Sequence, residues 1–283
     1  AAGNTAITND AALALQGAVT GTLAATASSG GITDSSNLSA TGNVTLNDVA
    51  TAGITLGTLE ADANVILTAA GNTAITNDAA LALQGTVTGT LAATATTGDI
   101  TDSDALAVSG ASVFTLGADG TNITLDSAAN AFSGAVTLKA GSSGGQTFGN
   151  IVFVDSGAID FDSAASADGD LFLDGGTDNT VGGTLAVTAT TGGITDSATI
   201  AVTGDLTLND VATAGITLDT LEADANVILT AAGNTAITND AALALQGAVT
   251  GTLAATASAG GITDSSNLSA SGNVTLNDVA TAG

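Results

Sequence analysis

GNTAITNDAALALQG, residues 3–17, recurs without change at 71–85 and again at 233–247. The first and third copies lie 230 residues apart. Self-similarity at a fixed period is typical of solenoids and other stacked repeats, in which each repeat buries its apolar face only against its neighbours. The repetition therefore predicts a stacked architecture for this chain.

The long period covers more than the quoted stretch. Residues 1–53 reappear at 231–283 with only two substitutions. We therefore interpret 1–283 as a single continuous solenoid with a 230-residue repeat, and we expect the natural polypeptide to continue in both directions.

A shorter period lies inside the long one and is marked by the dipeptide Ile-Thr. It begins at positions 7, 32, 54, 75, 100, 123, 194, 216, 237 and 262. A second apolar series, which includes Val44, Val65 and Val227, runs about half a turn out of phase. Two strands per turn follow from this, with about 12 turns of about 23 residues and ten turns in each 230-residue repeat.

The local pattern is that of β-strands. Val44–Leu46 alternates apolar and hydroxyl side chains, as a strand with one buried face does, and Leu13 and Leu15 indicate a third strand face. The chain contains no Pro, which would remove a backbone donor from a β-ladder. We predict an all-β fold, a parallel β-solenoid (β-helix) with turns about 4.8 Å apart.

The middle of the chain diverges between about 110 and 183. It holds the single basic residue, Lys139, and all six aromatic residues. The aromatic residues are Phe114, Phe132, Phe148, Phe153, Phe161 and Phe172. Most of these Phe residues indicate wider turns that enclose a larger core. Phe172 alternates out of phase with its Leu neighbours, so we predict that it points outward as a contact residue.

Acidic residues follow nine of the ten Ile-Thr pairs. They are Asp10, Asp34, Asp78, Asp102, Asp126, Asp196, Asp219, Asp240 and Asp264. If the Ile-Thr strands stack in register, these carboxylates form one column, and Ca²⁺, which favours clustered oxygen ligands, could bridge its turns. The alternative is a solvated edge where Asp caps turns and keeps the rod soluble. Recurring Asn77 and Asn239 fit stacked amides or ordinary turn usage equally well.

Composition excludes several classes of function. The chain has 27 acidic residues and one basic residue, a formal charge of −26, and it has no Cys, His, Met, Pro, Trp or Tyr. One Lys cannot neutralise a row of phosphates, so we expect no nucleic-acid partner. No apolar run is long enough to span a membrane. The pairs Asp102/Asp104 and Asp160/Asp162 could serve glycoside hydrolysis, but the residues that usually grip sugars are missing, and we expect no enzyme activity.

Two stretches carry a family resemblance. Asn122-Ile-Thr-Leu with Asn130-Ala-Phe-Ser-Gly-Ala-Val-Thr-Leu138, and the run from Gly182 to Gly204, resemble turns of the filamentous-haemagglutinin-like, β-strand-repeat large bacterial surface adhesins. The resemblance covers the whole chain as a repeat pattern. It implies secretion, a long right-handed parallel β-solenoid, and a role in surface attachment, aggregation or biofilm.

Two functional hypotheses follow from the repeats and the resemblance. The first is a structural extracellular fibre or cell-surface stalk whose partner is itself, through end-to-end or lateral assembly. The second is an adhesin module whose outward Thr, Asn and Asp side chains bind surface glycans or divalent cations. No cofactor is required by the first hypothesis, and calcium is the candidate under the second.

Overall fold

A computed structural model describes residues 1–141, 147–175 and 179–279. Within these ranges the secondary structure consists of thirty β-strands and their connecting turns, with no helix. In particular, no helix in the described ranges is long and apolar enough to cross a membrane. The divergent section predicted at 110–183 includes residues 142–146 and 176–178, which lie outside the described part.

The strands are short and follow one another along the whole chain. The first ten are β1 (Thr5–Asn9), β2 (Leu13–Val19), β3 (Leu23–Ala27), β4 (Ile32–Ala40), β5 (Val44–Asp48), β6 (Ile54–Ala61), β7 (Val65–Ala69), β8 (Thr73–Asn77), β9 (Leu81–Val87) and β10 (Leu91–Ala95). The next ten are β11 (Ile100–Val108), β12 (Ser112–Leu116), β13 (Ile123–Leu125), β14 (Ala131–Phe132), β15 (Val136–Ala140), β16 (Ile151–Asp155), β17 (Ile159–Phe161), β18 (Asp170–Asp174), β19 (Thr180–Val181) and β20 (Leu185–Ala189). The last ten are β21 (Ile194–Asp196), β22 (Ile200–Val202), β23 (Leu206–Asp210), β24 (Ile216–Ala223), β25 (Asn226–Ala231), β26 (Thr235–Asn239), β27 (Leu243–Val249), β28 (Leu253–Ala257), β29 (Ile262–Ala270) and β30 (Val274–Asp278).

These strands form two parallel sheets that run the length of the molecule. The first sheet follows the order β1-β3-β5-β7-β9-β11-β13-β16-β20-β23-β25-β27-β29, with β14 also paired to β11, and the second sheet contains the remaining strands. In a regular turn Leu23 pairs with Val44 and Val44 pairs with Val65, a step of 21 residues. The fold is therefore a parallel β-solenoid, as predicted, with about 13 turns about 21 residues apart.

The core is a narrow aliphatic layer between the two sheets. Regular strands alternate buried and partly exposed residues, as in β5, where Val44 and Leu46 are fully buried. Burying such a side chain contributes roughly 1.5–3 kcal/mol. Leu13 and Leu15, predicted to form a third face, belong to β2 in the second sheet, so each turn has two principal faces.

Phenylalanine fills the core where the divergent turns widen it. The ring of Phe132 meets Phe114 edge-on at 5.9 Å between centroids and stacks on Phe153 at 5.4 Å. Phe172 in β18 is only partly buried and pairs with Thr137 of the neighbouring turn, whereas the five other Phe are buried. Phe172 therefore lies on the outer side of β18, and its role as a contact residue stays a prediction.

Two buried hydroxyl groups interrupt the aliphatic core at equivalent positions. Thr73, in β8 between Ile54 and Leu91, is 2% exposed, and its copy Thr235 is equally buried. Neither Oγ1 has a hydrogen-bond partner among the described residues. A buried hydroxyl without a partner costs about 1–3 kcal/mol.

Replacing Thr73 with Val should therefore stabilise the protein. The substitution keeps the shape of the side chain and removes the unpaired hydroxyl, so we expect a gain of about 1 kcal/mol in the free energy of unfolding by urea. Thr76→Val, on the outer face of the same strand, is the control and should change stability by less than about 0.5 kcal/mol. A lower stability of Thr73→Val than of the unmodified chain would contradict this account.

Candidate functional site

The nine aspartates that follow Ile-Thr pairs do not form one column, because the Ile-Thr strands are divided between the two sheets. On or beside the second sheet lie Asp34, Asp78, Asp196, Asp219 and Asp240. On or beside the first sheet lie Asp10, Asp102, Asp126 and Asp264. The single acidic edge predicted from the sequence is therefore not formed.

Three of these aspartates instead bind the backbone of the next turn. Asp34, in the middle of β4, accepts a hydrogen bond from the Gly57 amide at 3.0 Å through Oδ1. Its Oδ2 accepts from the Thr58 amide at 2.6 Å and from the Thr58 hydroxyl at 2.8 Å. One carboxylate thus holds two consecutive amides of the neighbouring turn.

Asp196 repeats this arrangement in another part of the rod. Its Oδ1 accepts from the Asp219 amide at 2.7 Å, and its Oδ2 accepts from the Thr220 amide and hydroxyl, each at 2.8 Å. We call Asp34, Asp102 and Asp196 the aspartate clamps.

The clamp at Asp102 is built into a larger buried network. Asp102 accepts hydrogen bonds from the amides of Asp126 at 3.0 Å and Ser127 at 2.9 Å, and from the Asn130 side-chain amide at 2.6 Å. Asn130 is fully buried, and its Oδ1 accepts from the Leu106 amide at 2.9 Å. The network therefore ties β11 to the segment between β13 and β14 in the next turn.

The clamps stand where the β-ladder is interrupted. Between β4 and β6 the pairing breaks off after Thr33 and resumes at Leu38, and Gly57 and Thr58 lie opposite this gap. Backbone amides without a ladder partner must find another acceptor. The Asp of Ile-Thr-Asp-Ser supplies two oxygens at that point, so its side chain substitutes for a missing strand carbonyl.

The charge state of these carboxylates follows from their contacts. Partial burial by itself raises the pKa of Asp34, but the hydrogen bonds from Gly57 and Thr58 outweigh it, so this pKa lies below the ordinary 3.8. The pKa of Asp126 lies above 3.8 because of partial burial and of repulsion by Asp102. Asp34 is therefore ionised at neutral pH and has no acidic proton to donate to a ligand.

The remaining aspartates of the set lie apart. Asp10, Asp78, Asp240 and Asp264 are exposed at strand ends or bulges. In the described part of the chain, no group of three or more acidic side chains is placed to hold a metal ion. The nine residues thus divide into clamps, residues whose amides are clamped, and exposed carboxylates.

Aspartates outside the predicted set of nine bind backbone groups at the corners between strands. Asp48 is 1% exposed, and its Oδ2 accepts from the Gly53 amide at 2.7 Å. Gly53 has φ +91°, and a Cβ there would lie 2.3 Å from the Asn72 carbonyl oxygen, so only Gly fits. Asp210 repeats the contact with Gly215. The sequence signal that could have revealed these corners is the recurring segment LNDVATAG, in which the spacing from Asp to Gly is constant.

Buried asparagines complete the corners. Asn77 is fully buried, and its Oδ1 accepts from the Ala61 amide at 2.8 Å. Its Nδ2 donates to the carbonyls of Ala61 at 3.2 Å and Ala80 at 2.7 Å. Asn239 makes the same contacts in its own turn. These amides bind backbone groups, so they form no side-chain ladder along the axis.

Two equivalent open grooves lie beside the clamped bulges of the second sheet. One, of about 270 Å³, is lined by Thr58, Glu60, Thr76 and Asp78. The other, of about 250 Å³, has the copies of these residues in its wall, including Glu222 and Asp240. Each groove offers carboxylates and hydroxyls to solvent, and both lie on the same sheet.

Comparison with known families matches four consecutive segments of the chain, at residues 2–70, 70–139, 148–232 and 232–282. The chain belongs to the family of repeats of unknown function (DUF5649). No curated protein and no solved structure gave a significant match.

Each matched DUF5649 segment contains one Ile-Thr-Asp-Ser motif. The aspartates of these motifs are Asp34, Asp102, Asp196 and Asp264. The first three are the aspartate clamps. Asp264 lies in the last pair of described strands, where its Oδ1 accepts from the Leu268 amide at 3.3 Å. Each matched segment of this chain thus has one aspartate at this position, and in three of the four it binds the backbone of the next turn.

Removing a clamp should cost stability in a pH-dependent way. Asp34→Asn loses the charge and one acceptor oxygen, and we expect a loss of about 1 kcal/mol at pH 7 after allowance for solvent screening. Because the folded-state pKa of Asp34 is below 3.8, its contribution is present above that pH and is lost as the pH falls through the folded-state value. Urea unfolding at pH 7 and pH 2.5 measures both differences.

The control for this experiment is Asp10→Asn, which changes an exposed aspartate after the same dipeptide. It should alter stability by less than about 0.5 kcal/mol at either pH. An Asp34→Asn deficit that is as large at pH 2.5 as at pH 7 would show that the ionised carboxylate does not hold the turns together.

Proposed function

We propose that this chain is a rigid structural segment of an extracellular fibre or stalk on a bacterial cell surface. The observation that carries the proposal is the use of polar side chains at interruptions of the ladder: the aspartate clamps and Asn77 bind the backbone of neighbouring turns, and Asp48 binds the backbone of its own corner. A side chain that binds the backbone in this way stabilises the rod and is not available to bind or react with a ligand.

Composition and charge support the same role. About 13 turns at about 4.8 Å give a segment on the order of 60 Å long. Its net charge of −26 keeps neighbouring rods apart and in solution. The absence of Cys removes any dependence on disulfide formation outside the cell. The resemblance to filamentous-haemagglutinin-like adhesins supports a place in attachment, aggregation or biofilm.

A second candidate is favoured by the two equivalent grooves. Carboxylates and hydroxyls, such as Glu60 with Thr76 and Glu222 with Thr238, recur there at matching positions. Such groups can bind the hydroxyls of a glycan or a divalent cation. Under this candidate the chain is an adhesin module, and calcium belongs to its ligand-binding surface.

One set of variants separates the two candidates. The five substitutions Glu60→Gln, Asp78→Asn, Asp219→Asn, Glu222→Gln and Asp240→Asn neutralise both grooves without replacing a clamp. The structural proposal expects rods of unchanged length in negative-stain electron microscopy, unchanged display of the chain in immunogold microscopy of producing cells, and no glycan-array signal for either protein. Asp10→Asn is the matched surface control.

Loss of glycan binding in the groove variant, with the control unaffected, would overturn the structural proposal in favour of the adhesin module. A thermal scan with Ca²⁺ and with chelator adds a second readout. The structural proposal expects equal transition temperatures, because the clamp oxygens already accept hydrogen bonds. A rise with Ca²⁺ that the groove variant abolishes would support cation binding instead.

A further inference from the structure

Two copies of one outward surface lie on the first sheet. The first copy consists of the outward residues of β5, β7 and β9 and of the corner after each, in the segments 45–49, 66–70 and 84–88. The second copy consists of the same residues of β23, β25 and β27, in the segments 207–211, 228–232 and 246–250. The outward residues differ at one position, where Ala248 replaces Thr86. We call these surfaces the neutral patches. They are seven strand steps apart, about 34 Å along the rod.

Each neutral patch combines an exposed apolar side chain with an open groove. Val49 is 57% exposed and Val211 is 54% exposed, at the same corner of the first sheet. A groove of about 270 Å³ lies beside Val49 and is also lined by Ala70 and Thr88. The equivalent groove beside Val211 has a volume of about 280 Å³. The same exposed valine therefore lies beside the same groove at both sites.

The neutral patches present no charge, in a chain whose net charge is −26. The acidic residues of their strands, Asp48 and Asp210, are each 1% exposed and bind glycine amides inside the corners. On the second sheet, by contrast, Glu60, Asp219 and Glu222 occupy outward strand positions. Repulsion between two rods of the same charge is therefore weakest where neutral patches face each other. This distribution of charge favours a second copy of the chain as the occupant.

We propose that the first sheet pairs two copies of this chain side by side, with their neutral patches in contact. A two-fold axis parallel to the strands makes the two rods antiparallel, so the first patch of each copy meets the second patch of the other and the valine corners lie together. This pairing deepens, and rests on, the proposed structural role. The charge that keeps rods apart then lies on the outer surfaces of the pair.

The area of the face decides between full overlap and contact through a single patch. From β5 to β27 the first sheet has ten successive strands. They form a face of about 48 Å by about 16 Å, close to the roughly 800 Å² per partner of a standard interface. One patch of three strands covers less than a third of that face, which is too little for a stable pair. Full overlap is therefore the arrangement that gives a stable pair.

Carboxylates interrupt this face between the two patches. They belong to Asp102 and Asp104 in the bulge of β11 and to Asp126 after β13. In the antiparallel pair the two copies of Asp126 are one strand step apart along the rod, and about 11 Å apart across sheets packed at about 10 Å. This distance exceeds the Debye length of about 8 Å at physiological ionic strength, so their repulsion is largely screened. Partial loss of hydration at these carboxylates still weakens the pair.

Sedimentation equilibrium of the full chain tests the pairing. At physiological salt the mass should rise from that of one chain to that of two as the concentration increases. Val49→Asp and Val211→Asp, made separately, should each raise the dissociation constant at least about tenfold, because each places an unpaired carboxylate in both patch contacts of the pair. Asp104→Asn should lower the dissociation constant, because it removes a charge from the face.

The matched control is Val113→Asp, the same change on the outer side of β12 in the second sheet. It should leave the dissociation constant unchanged. Circular dichroism and negative-stain microscopy check that every variant remains a folded rod of the same length, so a loss of pairing is not a loss of fold.

Three results would overturn the inference: a chain that is monomeric at every concentration, pairing that survives both single substitutions, or an equal loss of pairing with Val113→Asp. Monomeric rods that bind an insoluble polysaccharide, and lose that binding with Val49→Asp, would identify a glycan as the occupant and would also overturn the pairing. Monomeric rods of unchanged length leave the proposed structural role standing, because the display of the chain on cells tests that role separately.

Discussion

Hydrogen bonding between turns is the constraint on which the whole structure depends. In a parallel solenoid the backbone groups of each strand bond to the turns on either side, and a buried amide without an acceptor is costly. The regular strands meet this requirement through their backbone. Corners and bulges cannot, and there the chain uses side chains: Asp34 at a bulge, Asp48 and Asn77 at corners.

This requirement explains where each type of residue occurs in the structure. Aliphatic side chains fill the space between two closely spaced sheets, and Phe enters only where the divergent turns open it, as at Phe114 and Phe153. Buried polar residues are retained at the interruptions of the ladder. Most of the remaining charge faces water, so the clamps and corners shape the rod from within while the surface carries the net charge.

Much of this fold can be predicted from the sequence, because strand alternation and tandem repetition are local signals. The two-strand turn and the outward Phe172 followed from them. The stacking phase did not, since the spacing from Ile75 to Ile100 differs from that between Ile32 and Ile54 by only a few residues but contains an additional strand pass. The additional pass moves later Ile-Thr strands to the other sheet, so the single acidic column expected from the sequence does not form.

X-ray diffraction from an oriented specimen of the intact chain tests the central claim most directly. If hydrogen bonds between turns run along the rod, a strong reflection near 4.8 Å lies parallel to the rod axis. A 4.8 Å reflection perpendicular to the rod axis would place the strands side by side across the rod and would contradict the stacked-turn account.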